Sequence, residues 1–253
     1  MPLSTLGGSR SLAVIFTPIK SGALVDEVCR RIELAIESGL LVSGQRLPNE
    51  TEIGGALGVS SVTTREALSQ LRKRGLIRTT RGRNGGSFVT ESSKPSAQMA
   101  RDRLRSMTRS ELIDLSLHYE AITVACAGAA ALRGSTEEAG ALRRLIRPAT
   151  DPGKPATAFA WRLAISDFLL QTATMAKSAR LARELMLLQA DVGAMTLLPF
   201  EDSAVCESVA FHCESIADAI ENHDSAAAER LTKESTKATM AMLLALQEAV
   251  QAA

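Results

Sequence analysis

Five residues with hydrogen-bonding side chains cluster at the start of a predicted helix, which spans about residues 61–73: Ser60, Ser61, Thr63, Thr64 and Arg65. Short hydroxyl side chains bind phosphate oxygens, and an arginine can bind O6 and N7 of guanine together. The amino end of a helix also attracts phosphate. The cluster therefore favours contact with nucleic acid.

A basic stretch continues beyond this cluster. Between residues 65 and 83, Glu66 is the only acidic residue, against seven basic residues: Arg65, Arg72, Lys73, Arg74, Arg78, Arg81 and Arg83. A solvated helix face would explain such a run taken by itself. Here the charges fall on the helix and also on a glycine-rich segment, residues 81–86, so together they can line one surface that faces a polyanion.

The elements that must position these residues follow from local patterns. An apolar face with three- and four-residue spacing predicts a first helix over residues 21–38. Asn49 and Glu52 form a capping-box pattern at the start of a second helix, which Gly58 ends. Two short strands follow the third helix, at residues 76–80 and 87–90, with the glycine-rich segment as the hairpin tip. The order is that of a helix-turn-helix with a wing.

About seventy residues of this region resemble the winged-helix domain of GntR-type regulators. The motifs that carry the resemblance are, in order, Gly39-Leu40, Gln45-Arg46-Leu47-Pro48-Asn49-Glu50-Thr51-Glu52-Ile53, Leu57-Gly58-Val59-Ser60, Thr64-Arg65-Glu66-Ala67-Leu68, Leu71, Gly75-Leu76, Arg81-Gly82, Gly85-Gly86 and Phe88-Val89. The resemblance implies a regulator that binds double-stranded operator DNA as a homodimer, with two recognition helices one DNA turn apart.

The residues, together with this resemblance, predict DNA contacts at ten positions: Thr51, Ser60, Ser61, Thr63, Thr64, Arg65, Arg81, Gly82, Arg83 and Gly85. Two of them depart from the family pattern, in which the positions of Thr51 and Ser61 are often arginine. Of the recognition-helix arginines of the family, Arg65 alone is retained. We therefore expect an altered operator choice and a larger share of the affinity from the wing.

The rest of the chain is predicted to be helical. Residues 91–96 form a linker, so the sequence predicts an N-terminal extension at residues 1–20, a winged helix-turn-helix domain at 21–92 and an all-helical effector-binding and dimerisation domain at 93–253. The fold class is mainly α, with a two-stranded wing. The helical part resembles the ligand-binding domain of the FadR-like branch of GntR-type regulators.

The resemblance also implies an effector site. Many members of that branch bind a divalent metal through Asp and His four residues apart on one helix and two His on later helices. The matching positions here are Asp167, Gln171, Cys213 and Ser235. An amide, a thiol and a hydroxyl do not enclose a hard dication, so we expect no metal and no other cofactor at this effector site.

Loss of the metal favours a less polar effector. The expected ligand is an apolar acid, such as a fatty acid, or its acyl thioester. A soft-metal site built from His212 and Cys213 is the alternative, although His212 lies one residue out of register, about 100° around a helix.

Composition excludes several classes of protein. The first 92 residues hold twelve Lys/Arg against eight Asp/Glu, whereas the remainder holds seventeen against twenty, so the first part is the one suited to a polyanion. The four cysteines form no CxxC pattern, and no hydrolase, metalloprotease or nucleotide-binding motif occurs. No run of about 18 apolar residues predicts a membrane span.

We therefore expect a cytoplasmic protein that is not an enzyme. The alternative function is a helical effector-binding or scaffold protein with a vestigial DNA-binding domain.

Overall fold

The computed structural model describes residues 24–37, 41, 43–82, 85–90, 97–148 and 156–252. The chain divides into two compact units, Met1–Lys94 and Pro95–Ala253. It is mainly α, with one two-stranded antiparallel sheet in the described part, which confirms the predicted fold class. The predicted N-terminal extension and Arg83 at the wing tip lie outside the described residues.

The first unit contains three helices and a hairpin. These are α1 (Leu24–Glu37), α2 (Glu50–Leu57), α3 (Ser61–Lys73), β1 (Ile77–Thr80) and β2 (Gly86–Val89). The order confirms the predicted helix-turn-helix and wing.

A small apolar core holds this unit together. Val28 and Ile32 of α1 are fully buried, as are Leu68 and Leu71 on the inner face of α3, which packs against α1. Their three- and four-residue spacing places them on one side of each helix. This packing fixes the orientation of α3 and leaves its opposite side to solvent.

The wing is wider than predicted. β1 pairs with β2 from Ile77 opposite Val89 to Thr80 opposite Gly86. The segment before α2 joins the other edge of β2, because the Leu47 N–H donates to the Ser87 carbonyl at 2.8 Å and the Val89 N–H donates to the Gln45 carbonyl at 2.9 Å. The sequence predicted only a loop there, since its short extended pairing has no periodic pattern.

The regular elements among the described residues of the second unit are all helices. Its α-helices are α4 (Ala97–Ser106), α5 (Arg109–Arg133), α6 (Thr136–Arg143), α7 (Ala158–Met175), α8 (Ala179–Gly193), α9 (Ser203–Glu221) and α10 (Ser225–Ala252). Two 3₁₀ turns, Met195–Leu197 and Pro199–Glu201, join α8 to α9.

Helix α5 lies at the centre of this unit. It packs along α10 and also contacts α7, α8 and α9. Thr108 and Glu111 form a capping box at its start, with the Thr108 N–H donating to Glu111 Oε2 at 2.7 Å. Among the described residues, α5 alone has the length and apolar composition of a membrane span, a test that the core helices of globular proteins also pass.

A buried glutamine ties the two ends of the helical unit together. Gln247, near the end of α10, is almost fully buried. Its Nε2 donates to the carbonyls of Leu104 at 3.2 Å and Met107 at 2.9 Å. These bonds satisfy carbonyls at the end of α4 that the helix itself leaves without an intrahelical partner.

Candidate DNA interface and effector cavity

A tight turn connects α2 to α3. Asn49 caps α2 through the predicted capping box: its Oδ1 accepts from the Glu52 N–H at 2.9 Å, and Glu52 Oε2 accepts from the Asn49 N–H at 2.7 Å. Gly58 ends α2 with φ of 68°, a left-handed conformation that glycine adopts without steric cost. Both features confirm the local sequence prediction.

The hydroxyl groups at the start of α3 serve partly internal roles. Ser60 Oγ accepts from the Thr63 N–H at 3.1 Å and lies 2.8 Å from Thr63 Oγ1. Thr64 is fully buried and donates through Oγ1 to the Ser60 carbonyl at 3.2 Å. The expectation that Thr64 contacts DNA is therefore wrong: the residue faces α2, where a Cβ on Gly54 would lie 3.2 Å from Thr64 Oγ1.

Exposed side chains form the outer face of α3. Ser61, Val62, Arg65 and Glu66 all reach solvent. Val62 is 71% exposed, although a β-branched apolar side chain gains from burial. Val62 was not among the predicted contacts, although an apolar residue among the polar residues of a predicted outer face was a signal for it. An exposed apolar side chain here suits the C5-methyl group of thymine.

Arg65 is positioned by an acidic residue of α2. Its Nε donates to Glu50 Oε2 at 2.9 Å, while the side chain stays 67% exposed. The neighbouring Thr51 is exposed as well. The ion pair therefore holds the guanidinium at the outer surface where α2 and α3 meet, and Thr51 lies on the same short helix as its acidic partner.

The wing tip depends on glycine. Gly82 has φ of 112°, a backbone conformation that residues with a side chain rarely adopt. The Gly85 N–H donates to the Gly82 carbonyl at 2.8 Å. A Cβ at Gly85 would lie 2.6 Å from the Thr80 carbonyl oxygen, closer than such atoms approach. Arg81 is exposed beside this turn. The described part of the tip therefore exposes its backbone and the Arg81 side chain to solvent.

The other basic residues of the predicted footprint divide into two groups. Arg72 donates to Thr79 Oγ1 at 3.2 Å, and the Arg78 guanidinium lies 5.5 Å from the centre of the Phe88 ring, so both cover the wing. Arg74 forms an ion pair with Glu33 of α1. The basic surface is therefore narrower than the sequence run indicated.

The helical unit encloses a cavity of about 50 Å³ between α5, α7, α8, α9 and α10. Cys213 and Ser235 line it, as the family resemblance led us to expect. The volume admits about three or four water molecules. It does not hold the long acyl chain of a fatty acid or its thioester.

Asp167 and Gln171 do not line this cavity, so the structure does not bring them together with Cys213 and Ser235. The wall contributed by α7 contains Arg162, Ile165 and Ser166, together with Phe168 and Leu169. Residues four apart share a helix face, and the pairs of that spacing in this wall are 162 with 166 and 165 with 169. Helix α7 therefore lines the cavity with residues at positions other than the two that the family resemblance indicated.

The residues present do not fit a divalent metal. Neither pair on α7 supplies an Asp or a His, and burial raises the pKa of the Cys213 thiol to about 12, which disfavours the thiolate that metals bind. His212 does not line the cavity; its Nδ1 lies 2.7 Å from the Ser208 carbonyl oxygen. No group of three potential metal-ligating side chains occurs within the described ranges.

The cavity nevertheless carries polar groups that were not predicted from the sequence. Arg162 is 1% exposed, and its Nε donates to the Gly193 carbonyl. Ser166 donates to Gln189 Oε1 at 3.2 Å, and Gln189 Nε2 donates to Tyr119 Oη at 3.2 Å. The available signal was an arginine within the apolar start of α7, because an apolar helix rarely carries a charge without a reason.

The remaining histidines serve structural contacts. His118 lies 3.2 Å from Glu184, as an ion pair when protonated. His223 adopts φ of 57° in the turn between α9 and α10, and its Nδ1 lies 2.8 Å from the Ala131 carbonyl oxygen. Asp224 caps the next helix by accepting from the Ala227 N–H at 2.9 Å. Residues 223 and 224 therefore form the turn and the helix cap at this junction.

Both units match known sequence families. Residues 24–89 match the family described as bacterial regulatory proteins, gntR family, and residues 114–238 match the FCD domain. The chain belongs to the GntR family. In this GntR-family chain the first match includes the whole helix-turn-helix. The FCD match includes all of α7, α8 and α9 and parts of α5 and α10.

Named relatives of this GntR-family chain are regulators. RmpR of Mycobacterium gastri, an HTH-type transcriptional regulator by name, is 35% identical over 175 residues, which are 69% of this chain and 63% of that protein. NagR of Bacillus subtilis (strain 168), named an HTH-type transcriptional repressor, is 35% identical over 82 residues, 32% of each chain. The matched part spans less than two thirds of either relative.

Solved structures of GntR proteins also resemble the chain. Streptococcus agalactiae GntR shares 18% identity, with 86% of this chain and 99% of that chain covered and a TM-score of 0.43. E. coli McbR/YncC shares 15% identity, with coverage of 89% and 98% and a TM-score of 0.46. Both scores lie below 0.5, so neither structure bears on function here.

Proposed function

We propose that this protein is a sequence-specific, DNA-binding transcription regulator and not an enzyme. The observation that carries the proposal is the outer face of α3, where Val62 and Arg65 reach solvent and Glu50 holds the guanidinium in place. An exposed helix face of this kind suits the major groove, where arginine reads guanine and an apolar group reads thymine. Ser61 and Thr51 lie beside it and supply hydroxyl groups for phosphate.

The wing provides a second, sequence-independent contact. Arg81 lies at a tip whose glycines let the backbone approach a phosphate closely, and Arg83 follows it in the chain. Such cations bind DNA through counterion release and position the recognition helix without reading bases. The wing accordingly supplies affinity and the outer face of α3 supplies specificity.

The regulator acts as a homodimer. One recognition helix makes too few base contacts for useful specificity, and a two-fold pair reads two half-sites. The helical unit is the proposed interface, and α5 there exposes Ile113 and Leu117, which lie one helical turn apart. Light scattering should show a species of twice the 26.9 kDa chain mass. A monomer that keeps tight operator binding would contradict the dimer.

Regulation is proposed to be repression in the cytoplasm, relieved or imposed by a small effector in the FCD cavity. Repression is supported by the name of the NagR relative, whose matched part spans 32% of that protein. The effector site is proposed to work without a metal, since its donor set does not fit one. Elemental analysis of protein purified without chelator should find no stoichiometric zinc or nickel, and their presence, lost on Cys213→Ala, would contradict this.

Fluorescence anisotropy with a labelled mixed-sequence duplex tests the central proposal. Binding should weaken steeply as salt rises, and selection from random DNA should enrich a two-fold symmetric site. The matched control is the same titration and selection with Arg65→Gln, which removes the positive charge but keeps a polar side chain. This variant should retain part of the salt dependence and no longer enrich a specific site from random DNA. Absence of binding at low salt would favour the scaffold alternative.

A further inference from the structure

The wing has two distinct faces. Ile77 and Val89, which pair across β1 and β2, are buried in the core of the first unit. Successive side chains of a strand point to opposite faces, so the neighbouring pair, Arg78 and Phe88, points away from that core. We call this second side the outer face of the wing.

Arg46 belongs to the outer face. From the segment before α2 it forms an antiparallel bridge with Phe88, so Arg46, Phe88 and Arg78 make one row across the wing. Side chains directly opposite one another on adjacent strands lie on the same face. Both arginines are exposed, whereas Phe88 between them is half-buried. The row therefore places two positive charges on one side of the wing.

A glycine lets the Arg46 side chain run towards the wing tip. Gly86 lies two residues before Phe88, on the same face and next to the tip. A Cβ at Gly86 would lie 2.8 Å from Arg46 Nε and 3.5 Å from Arg46 Cγ, so the arginine crosses the space that a side chain at this position would fill. Its guanidinium therefore lies near the end of the hairpin, where Gly86 pairs with Thr80 and Arg81 follows.

The Arg46 guanidinium is available to a ligand. Its side chain forms no ion pair or hydrogen bond with another residue that the structure describes, whereas Arg65 is held by Glu50. Arg46 also lies three residues before Asn49, the cap of α2. The chain thereby carries this arginine from the wing directly into the helix whose Glu50 holds Arg65.

We propose that Arg46 binds a phosphate of the operator backbone, so that the outer face of the wing extends the DNA contact beyond the tip. The proposal rests on the proposed function as a DNA-binding regulator, in which α3 occupies the major groove. The three extended segments of the wing span about 10 Å, wider than a minor groove of about 6 Å. This face therefore meets phosphates at the groove edge, where a guanidinium can donate two hydrogen bonds to one phosphate.

Salt titrations of two variants test the contact. On an operator selected from random DNA, Arg46→Gln should bind about three- to tenfold more weakly, and the slope of log affinity against log salt should fall by about 0.9. The selected sequence should stay the same, because a phosphate contact reads no base.

The matched control is Arg30→Gln. Arg30 is exposed on α1, and α1 packs against the inner face of α3, away from the proposed DNA surface. This variant removes the same charge from the same unit and should leave both the affinity and the salt slope nearly unchanged. Equal changes in the two variants would overturn the proposal.

Gly86→Ala separates a positioned contact from a general effect of charge. The added Cβ displaces the Arg46 side chain and leaves the net charge unchanged. Gly86→Ala should therefore weaken operator binding on its own, and it should have no further effect once Arg46→Gln is present. If Gly86→Ala does not weaken binding, or weakens it equally in the Arg46→Gln background, the proposal is wrong.

Ethylation interference locates the phosphate. Ethylation of one backbone phosphate in each half-site should reduce binding of the unaltered protein and have no effect on Arg46→Gln, while the other sensitive phosphates remain the same in both. Identical interference patterns would overturn the contact. Because every measurement uses an operator that the unaltered protein binds, such a result refutes the role of Arg46 alone. Failure of the unaltered protein to bind any DNA would instead refute the proposed function.

Discussion

Arg65 and Arg162 place the same functional group in opposite surroundings. Arg65 is 67% exposed and pairs with Glu50 on the surface of the winged-helix unit, whereas Arg162 is 1% exposed inside the helical unit. An exposed ion pair contributes little to stability, so its guanidinium can be redirected to DNA at small cost. A buried guanidinium has lost its water during folding, so it depends on protein groups such as the Gly193 carbonyl, to which Arg162 Nε donates.

The largest expected effect is on the exposed arginine. Arg65→Ala should raise the operator dissociation constant by a factor that corresponds to about 1–3 kcal/mol, because alanine cannot bind a base through two hydrogen bonds. The control is Arg74→Ala, in the same unit, since the ion pair of Arg74 with Glu33 directs it to α1. Anisotropy titrations should show little change for the control. Equal losses in both variants would remove Arg65 from the base-reading surface.

The wing should contribute through charge alone. In Arg81→Ala/Arg83→Ala, the slope of log affinity against log salt should fall by about 0.9 for each phosphate that the wing no longer neutralises. The double variant Arg101→Ala/Arg103→Ala on α4 removes the same charge from the other unit and should leave the slope nearly unchanged. If the slope of log affinity against log salt is unchanged in the wing variant, the wing does not bind phosphate.

Two buried threonines sharpen the contrast inside the helical unit. Thr172→Val should lower the free energy of unfolding by about 1 kcal/mol, because valine cannot donate to the Phe168 carbonyl. Thr232→Val should leave stability unchanged or raise it, since Thr232 Oγ1 has no described partner to lose. Urea unfolding of the chain without ligand measures both. A Thr232→Val loss as large as that of Thr172→Val would mean that the hydroxyl is already satisfied.

The smallest expected effect is at Val62. Val62→Ser should cost about 1 kcal/mol or less in operator binding, because serine packs less well against a thymine methyl group. Selection from random DNA should show relaxed preference at a single position of each half-site. The control Ser69→Ala lies further along the same helix and should keep the preference. Unchanged selection by Val62→Ser would exclude a base contact.

The winged-helix unit could be predicted closely because its signals are local. Asn49 with Glu52, Gly58 and the glycines of residues 82–86 each specify a cap or turn within a few residues. Thr64 was misplaced because its burial depends on Gly54 of a neighbouring helix, which lies outside any local pattern. Helix existence was predictable, and the direction of one side chain was not.

The effector cavity was harder to predict because it depends on the rotation of five helices relative to one another. Cys213 and Ser235 were assigned correctly to its wall, where apolar spacing defines the helix faces. On α7 apolar and small residues occur on every side of the helix, so their spacing indicated no preferred face, and Asp167 was chosen from the register of the family resemblance. Arg162 was missed because no pattern within α7 shows that Gly193 of α8 leaves room for a guanidinium.

Helix α10 has a mechanical consequence for the helical unit. Thr232 lies at the cavity, and Gln247 on the same uninterrupted helix holds the carbonyls of Leu104 and Met107. The fifteen residue steps from Thr232 to Gln247 correspond to about 22 Å of continuous helix. Any ligand that displaces this rod at the cavity moves its far end by a comparable amount. A shift of α10 at the cavity is therefore transmitted to α4, the first described helix after residues 91–96.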